Sequence, residues 1–285
     1  MRKVAYQQIV VAVAELCRSA NVFLGDDVVG ALEEALSKEE SMVGKECLAG
    51  LIENAGLATT EKMPVCQDTG MAVIFVEYGQ EVVVVGGDFN AAINEGVAQG
   101  YQTGYLRKSV VGDPLNRINT GDNTPAVIHT RIVPGDQLKI TVAPKGFGSE
   151  NMSRLKMLTP AEGLTGITDF VIETVGLAGA NPCPPIVVGV GIGGTMEKAT
   201  LMAKEALLRD LNTTNPDAFL AKLESELLEK INNLGIGPMG LGGRCTALAV
   251  HINTYPTHIA GLPVAVNINC HVTRHKTTII CGELI

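Results

Sequence analysis

The chain has no tryptophan, and only five tyrosines and six phenylalanines among its 285 residues. A core must therefore be built from Val, Ile, Leu and Ala, with 32 glycines allowing close backbone approaches. Charge is also scarce, at 18% of residues, and the net charge is -8. Without clustered Lys and Arg there is no electrostatic footprint for nucleic acid. No uninterrupted apolar run reaches the length of roughly 18 residues needed to cross a bilayer. Glu15 and Arg18 interrupt the apolar N-terminal segment and no small-residue cleavage site follows, so no signal peptide is expected. The seven cysteines contain no CxxC pair. Their odd number and wide scatter argue against a disulfide framework, a zinc knuckle or a ferredoxin-like run, and point to a reducing, cytoplasmic setting. The glycine-rich segment at 189–195 lacks GxGxxG spacing and a following Walker lysine, so a nucleotide reading is weak.

Hydrophobic residues at 46% over this length suffice for one large domain or two modest ones. Helical periodicity appears at 4–18, from Asp26 or Asp27 (either a candidate cap) to about Glu40, and from Gly44 to Asn54, with Gly56 as a stop. The first sixty residues thus read as a helical layer. Strand-like runs follow at 71–77 and 81–85, separated by Tyr78-Gly79-Gln80 as a hairpin. Residues 90–106 return to helical spacing, with Gly96, Gly100 and Gly104 suggesting close packing against a neighbour. Runs at 126–133 and 137–143, joined by Pro134-Gly135-Asp136, give the clearest hairpin signal. Further helices are expected from Thr159-Pro160, from Met196 and from Asn215-Pro216, and further strands at 186–190, 246–254, 262–269 and 277–281. The fold class is α+β (mixed α/β), with mixed sheets and packed helices after the N-terminal helices. The chain is one domain over 1–285, with two candidate lobes at about 1–60 and 61–285.

Three cysteines sit among turn residues: Cys66 in PVCQDTG, Cys183 in NPCPPI and Cys270 in NINCH. Three thiolates with one open position suit a metal that acts on a substrate, while buried structural thiols remain the bland alternative for each. Cys17, Cys47 and Cys281 read as core residues, and Cys245, in a glycine-rich turn, ranks fourth as a ligand. Lys145-Gly146-Phe147-Gly148-Ser149 and the 189–195 turn resemble anion sites, and Arg107, Arg154 and Arg244 are candidate carboxylate partners. Of the five histidines His258 suits proton transfer best, His271 is a candidate support residue, and His129 and His251 lie in strand-like runs.

These cysteine segments, with KGFGSENMS, GVGIGG and the spacing of His258 and Cys270, resemble the class I iron–sulfur fumarases and the related L-tartrate dehydratases, over essentially the whole chain. The resemblance implies an alpha-subunit-type hydro-lyase whose two lobes surround a [4Fe–4S] cluster. Cys66, Cys183 and Cys270 would be its ligands, with one iron open as a Lewis acid. It further implies substrate contacts from Gln67, Asp68, Arg107, Gly148 and His258, with Asp68 and His258 as the catalytic candidates. Thr257-His258-Ile259-Ala260-Gly261 departs from the RHGAS of single-chain members. A separately encoded beta subunit, in an α2β2 assembly, would complete the site. Reversible hydration of fumarate to L-malate is the first expectation, with dehydration of L-tartrate to oxaloacetate as the alternative. A non-catalytic, metal-stabilised structural subunit is the alternative of another class.

Overall fold

The computed structural model describes residues 1–284. In chain order the elements are β1 (Arg2–Ala5), α1 (Tyr6–Val22), α2 (Asp26–Lys38), α3 (Met42–Glu61), β2 (Met71–Gly79), β3 (Val82–Val85), α4 (Phe89–Thr103), β4 (Val127–Val133), β5 (Gln137–Lys145), the single turn α5 (Phe147–Glu150), β6 (Arg154–Leu158), α6 (Gly163–Ala178), β7 (Ile186–Gly193), α7 (Met196–Ala206), α8 (Ala218–Asn232), β8 (Ala247–Tyr255), β9 (Leu262–Asn269), β10 (Lys276–Cys281) and β11 (Glu283–Leu284). The class is mixed α/β, with an N-terminal helical region followed by sheets packed with helices, as expected. The chain divides into two compact units. One comprises Met1–Leu24, Leu57–Phe147 and the chain from Arg274 onward; the other comprises Gly25–Gly56 and Gly148–Thr273.

In the first unit α1 packs along α4, and the glycine spacing of α4 is what permits it. A Cβ on Gly96 would stand 2.8 Å from the Val10 carbonyl oxygen, and one on Gly100 2.8 Å from that of Ala14. The backbones meet because neither position carries a side chain. The two helices cover a four-stranded sheet of order β10-β5-β2-β4, while a smaller three-stranded sheet has the order β11-β1-β3. Val10, Val13, Ile74, Ile93, Val97, Leu138 and Ile140 form the centre of this core. Residues 6–38 are apolar enough by length and composition to cross a membrane. They are instead broken at Phe23–Gly25 into two helices, and α1 buries Ile9, Val10, Val13, Ala14 and Leu16.

Neither expected hairpin forms. β2 does not pair with β3; it lies between β4, to which it runs parallel, and β5, to which it runs antiparallel. β3 pairs in parallel with β1. The Pro134-Gly135-Asp136 connection therefore carries the chain around the end of β2 rather than between adjacent strands. A Cβ on Gly79 would meet the carbonyl oxygens of Gly135 and Gln137 at 2.6 Å, so only glycine lets the connection pass. β2 takes the central place because Ala72, Val73, Ile74 and Val76 are all buried and require neighbours on both sides.

The second unit is built on the sheet β6-β9-β7-β8. On one face α6 and α8 cover Val188, Val190, Val250, Val266 and Ile268. The other face receives α7: Ala199 and Ala203 pack on Ala265, and Leu207 on Val187. Burial on both faces explains why β7 reads as an unbroken apolar run. Helix boundaries depart from expectation in three places. Gly25, not Asp26 or Asp27, is the cap of α2, and the Asp27 Oδ2 instead accepts the Leu211 amide at 3.0 Å. α3 runs through Gly56 to Glu61, because continuing buries Ala58. α8 starts after Asp217, whose carboxylate accepts the Phe219 and Leu220 amides, while Asn215 is drawn into the interior by Glu224 and the Ile252 carbonyl.

Candidate active site

Within the first unit the segment Cys66–Gly70, joining α3 to β2, is held by more donors than a loop of its length requires. The Asp68 Oδ1 accepts the Gly70 amide at 3.0 Å, an Asx turn, and its Oδ2 accepts the Phe147 amide at 3.0 Å. The Asp68 carbonyl accepts the Arg274 Nη2. The Tyr101 hydroxyl lies 2.7 Å from the Thr69 carbonyl and 3.0 Å from that of Gly70, and the Asn123 Nδ2 donates to the Gly70 carbonyl at 3.1 Å. Gly70 itself has φ 72°, and a Cβ there would meet the Lys145 backbone at 2.7 Å.

This scaffold brings together three residues expected at the site. The exposed Arg107 donates from Nη1 to the Gln67 Oε1 at 2.6 Å. Its carbonyl accepts the Thr69 hydroxyl at 3.0 Å, so Arg107 is tied to the segment at both backbone and side chain. Gln67 is exposed and Asp68 half-buried. The guanidinium keeps donors for an incoming carboxylate, in the fork geometry that matches one. Arg154 and Arg244 are engaged elsewhere. Arg154 pairs with Glu173 at 2.9 Å and lies over the Phe170 ring; Arg244 bonds Asn233 at 3.3 Å and lies 3.6 Å from Glu40. Tyr101, Asn123 and Arg274 were missed by sequence reasoning; Asn123 lies in the polar run 113–124, and Arg274 four residues after Cys270.

In the second unit Cys183 adopts φ 54°, a strained conformation for a residue with a side chain, ahead of the cis Pro184-Pro185 bond. Its carbonyl faces the His271 Nδ1 at 3.0 Å. β7 begins three residues after Cys183, β9 ends one before Cys270, and Val187 pairs with Asn269, so the sheet sets both cysteines at one end. The support expected of His271 thus reaches the Cys183 backbone. Gly148, in the turn α5, is exposed; the nearest atom to a Cβ there would be the Asn181 carbonyl oxygen, in ordinary contact at 3.6 Å. His258 is exposed on the loop between β8 and β9. Its Nδ1 accepts the Ala260 amide at 3.2 Å, so the neutral ring carries its proton on Nε2. The Thr257 hydroxyl anchors the loop on the Gly194 carbonyl at 2.9 Å.

The [4Fe–4S] cofactor expected from the sequence is corrected by this structure. Among the described residues no group of three or more His, Cys, Asp or Glu side chains is gathered where it could hold a metal ion. A three-thiolate centre needs all three sulfurs converging at bonding distance. In the 189–195 segment Gly189 and Gly191 serve packing: Cβ atoms on them would stand 2.1 Å from the Ala203 and Ala199 carbonyl oxygens of α7. Cys245 is a core residue: burial, with the adjacent Glu39 charge, pushes its thiol up to about 12, and its Sγ lies 3.3 Å from the Ala35 carbonyl. Burial does the same to Cys17. His251 is buried on the Ala206 carbonyl, where burial and the Arg209 charge lower its pKa. His129 stacks on Phe75.

Comparison with known proteins adds a second line of observation. The family model described as fumarate hydratase (Fumerase) matches residues 10–279. The chain is 46% identical over 275 residues to the putative L(+)-tartrate dehydratase subunit alpha of Methanocaldococcus jannaschii, spanning 92% of this chain and 94% of that one. It is 33% identical over 276 residues to the L(+)-tartrate dehydratase subunit alpha of Escherichia coli strain K12, spanning 95% and 90%. The same figures hold for the L(+)-tartrate dehydratase subunit alpha of Escherichia coli O157:H7.

Proposed function

The chain belongs to the fumarate hydratase (Fumerase) family of hydro-lyases, and we propose that it is the alpha subunit of an enzyme dehydrating L(+)-tartrate to oxaloacetate. The observation that carries this reading is the 46% identity, over nearly the full length of both chains, to a putative L(+)-tartrate dehydratase alpha subunit. It favours the tartrate alternative over the fumarate–malate interconversion expected first from the sequence. A separately encoded beta subunit, in an α2β2 assembly, supplies the remaining contacts.

Dehydration of tartrate removes hydroxide from one central carbon and a proton from the other. The product enol tautomerises to oxaloacetate, one water is released, and no electrons are gained or lost overall. A site for this reaction must fix a carboxylate, distinguish the second hydroxyl and move one proton. Arg107 binds a substrate carboxylate through its guanidinium edge, with Gln67, its side-chain partner at 2.6 Å, presenting an amide to the neighbouring hydroxyl. Asp68, fixed by the Gly70 and Phe147 amides, orients the substrate. The amide of the exposed Gly148 meets carboxylate charge as it develops. His258, with its proton on Nε2, delivers or holds the proton at the departing side.

Co-purified alpha and beta subunits, assayed on L-tartrate and L-malate, test the substrate. A site built to hydrogen-bond the extra hydroxyl should favour L-tartrate by at least about 100-fold in kcat/KM. Equal or better turnover of malate returns the fumarate reading, and turnover of neither diacid overturns the assignment.

A further inference from the structure

Arg274 is only 6% exposed, and one of its nitrogens, Nη2, donates to the Asp68 carbonyl. Its Nε and Nη1 are buried with no hydrogen-bond partner. Charged donors left unmatched in the interior destabilise a fold, and native structures leave few of them. A methionine would fill the same space without that cost, so packing alone does not account for a guanidinium here.

What the guanidinium does accomplish is local. Three successive carbonyls, those of Asp68, Thr69 and Gly70, are gripped by Arg274, Tyr101 and Asn123. Burial raises the Tyr101 phenol pKa and the Arg274 charge works against that rise, which sets the two side chains in one buried environment. Of the three donors only Arg274 reaches the Asp68 carbonyl, in the peptide that joins Asp68 to Thr69. We propose that Arg274 is a positioning residue of the reaction: it fixes the Asp68–Thr69 peptide so that Gln67 and Asp68 meet the substrate in one orientation. This rests on the reading of Gln67, Asp68 and Arg107 as substrate contacts.

Because Arg274 acts through Asp68 and touches no substrate, its loss belongs in kcat and not in KM. In the assembled enzyme Arg274→Met should lower kcat about 100-fold per folded molecule while KM changes less than about 3-fold, the scale of a small misplacement of a reacting group. Arg274→Lys, which keeps a charged donor, should recover at least about ten-fold of that loss. If Arg274→Met does not fold, Arg274→Lys alone decides, with kcat expected about ten-fold below wild type at unchanged KM. Wild-type kcat per folded molecule in either variant overturns the proposal, as does a rise in KM at constant kcat. Asp68→Asn, run in parallel, separates the two readings. A crippled Asp68→Asn beside unaffected Arg274 variants removes only the role of Arg274. Unaffected kinetics in Asp68→Asn remove the substrate-contact reading and this proposal together.

Discussion

The Glu39 carboxylate accepts the backbone amide of Cys245 at 2.9 Å, across 206 residues of sequence. The same carboxylate takes the Glu40 amide at 2.8 Å, the Ser41 amide at 2.9 Å and the Arg244 amide at 3.0 Å. It is 2% exposed, and a Cβ on Gly243 would stand 2.6 Å from its Oε1, so the glycine turn exists to let the charge in. Glu39→Gln replaces one acceptor oxygen by a donor facing amides. It should cost about 2–4 kcal/mol of unfolding free energy, measured by urea denaturation; a loss below about 0.5 kcal/mol would contradict the account.

The same group predicts a pH dependence. Burial by itself would raise the Glu39 pKa, but the amides of Ser41, Arg244, Cys245 and Glu40 outweigh it and hold it at about 2, against an ordinary 4.5. A carboxyl depressed on folding stabilises fully above its unfolded pKa and loses that contribution as pH falls toward the folded one. Wild-type stability should therefore decline from about pH 5 to pH 2 more steeply than that of Glu39→Gln. Parallel curves for the two proteins would show that Glu39 carries no linked proton.

How much of this was legible in the sequence depends on range. Helices were visible because their periodicity is local, and the spacing of Gly96, Gly100 and Gly104 pointed correctly to a closely packed neighbour, which proved to be α1. Strand pairing was not visible. Pro134-Gly135-Asp136 has good turn chemistry, yet nothing local tells that β2, more than fifty residues earlier, lies between the two strands it joins. Gln67 and Arg107 were each singled out as substrate contacts by a family resemblance, whereas Tyr101, Asn123 and Arg274 support the segment from 32 to 206 residues away and carry no periodic signal. Turn-rich settings and a family resemblance suggested three converging thiolates; convergence is a property of the folded chain, and the described residues gather no such group.

Gly191 offers a test of the packing role given to the 189–195 segment. Its missing Cβ would lie 2.1 Å from the Ala199 carbonyl oxygen and 2.7 Å from the Ala203 nitrogen, both backbone atoms of α7 that no rotamer change can move. Gly191→Ala must push α7 off the sheet, costing about 3 kcal/mol or more. Gly50→Ala, with nothing within 4 Å of the added Cβ on the exposed side of α3, should be neutral or slightly stabilising. Thermal unfolding of both variants checks the contrast, and an unperturbed Gly191→Ala would return the segment to consideration as an anion site.

Arg107 gives the most direct test of substrate binding. Its guanidinium is exposed and its Nη1 bond to Gln67 holds it over the segment, so its removal should scarcely alter the fold. Arg107→Ala should leave thermal stability within about 0.5 kcal/mol, as befits a surface substitution. Because a charged hydrogen bond to a carboxylate contributes about 1.5–3 kcal/mol, KM for L-tartrate should rise roughly ten- to one-hundred-fold. Arg107→Lys keeps the charge but not the planar fork, and should recover only part of that affinity. Full recovery by lysine would mean that Arg107 serves as a point charge and the Gln67 contact is incidental. Unchanged KM in Arg107→Ala would place the carboxylate elsewhere.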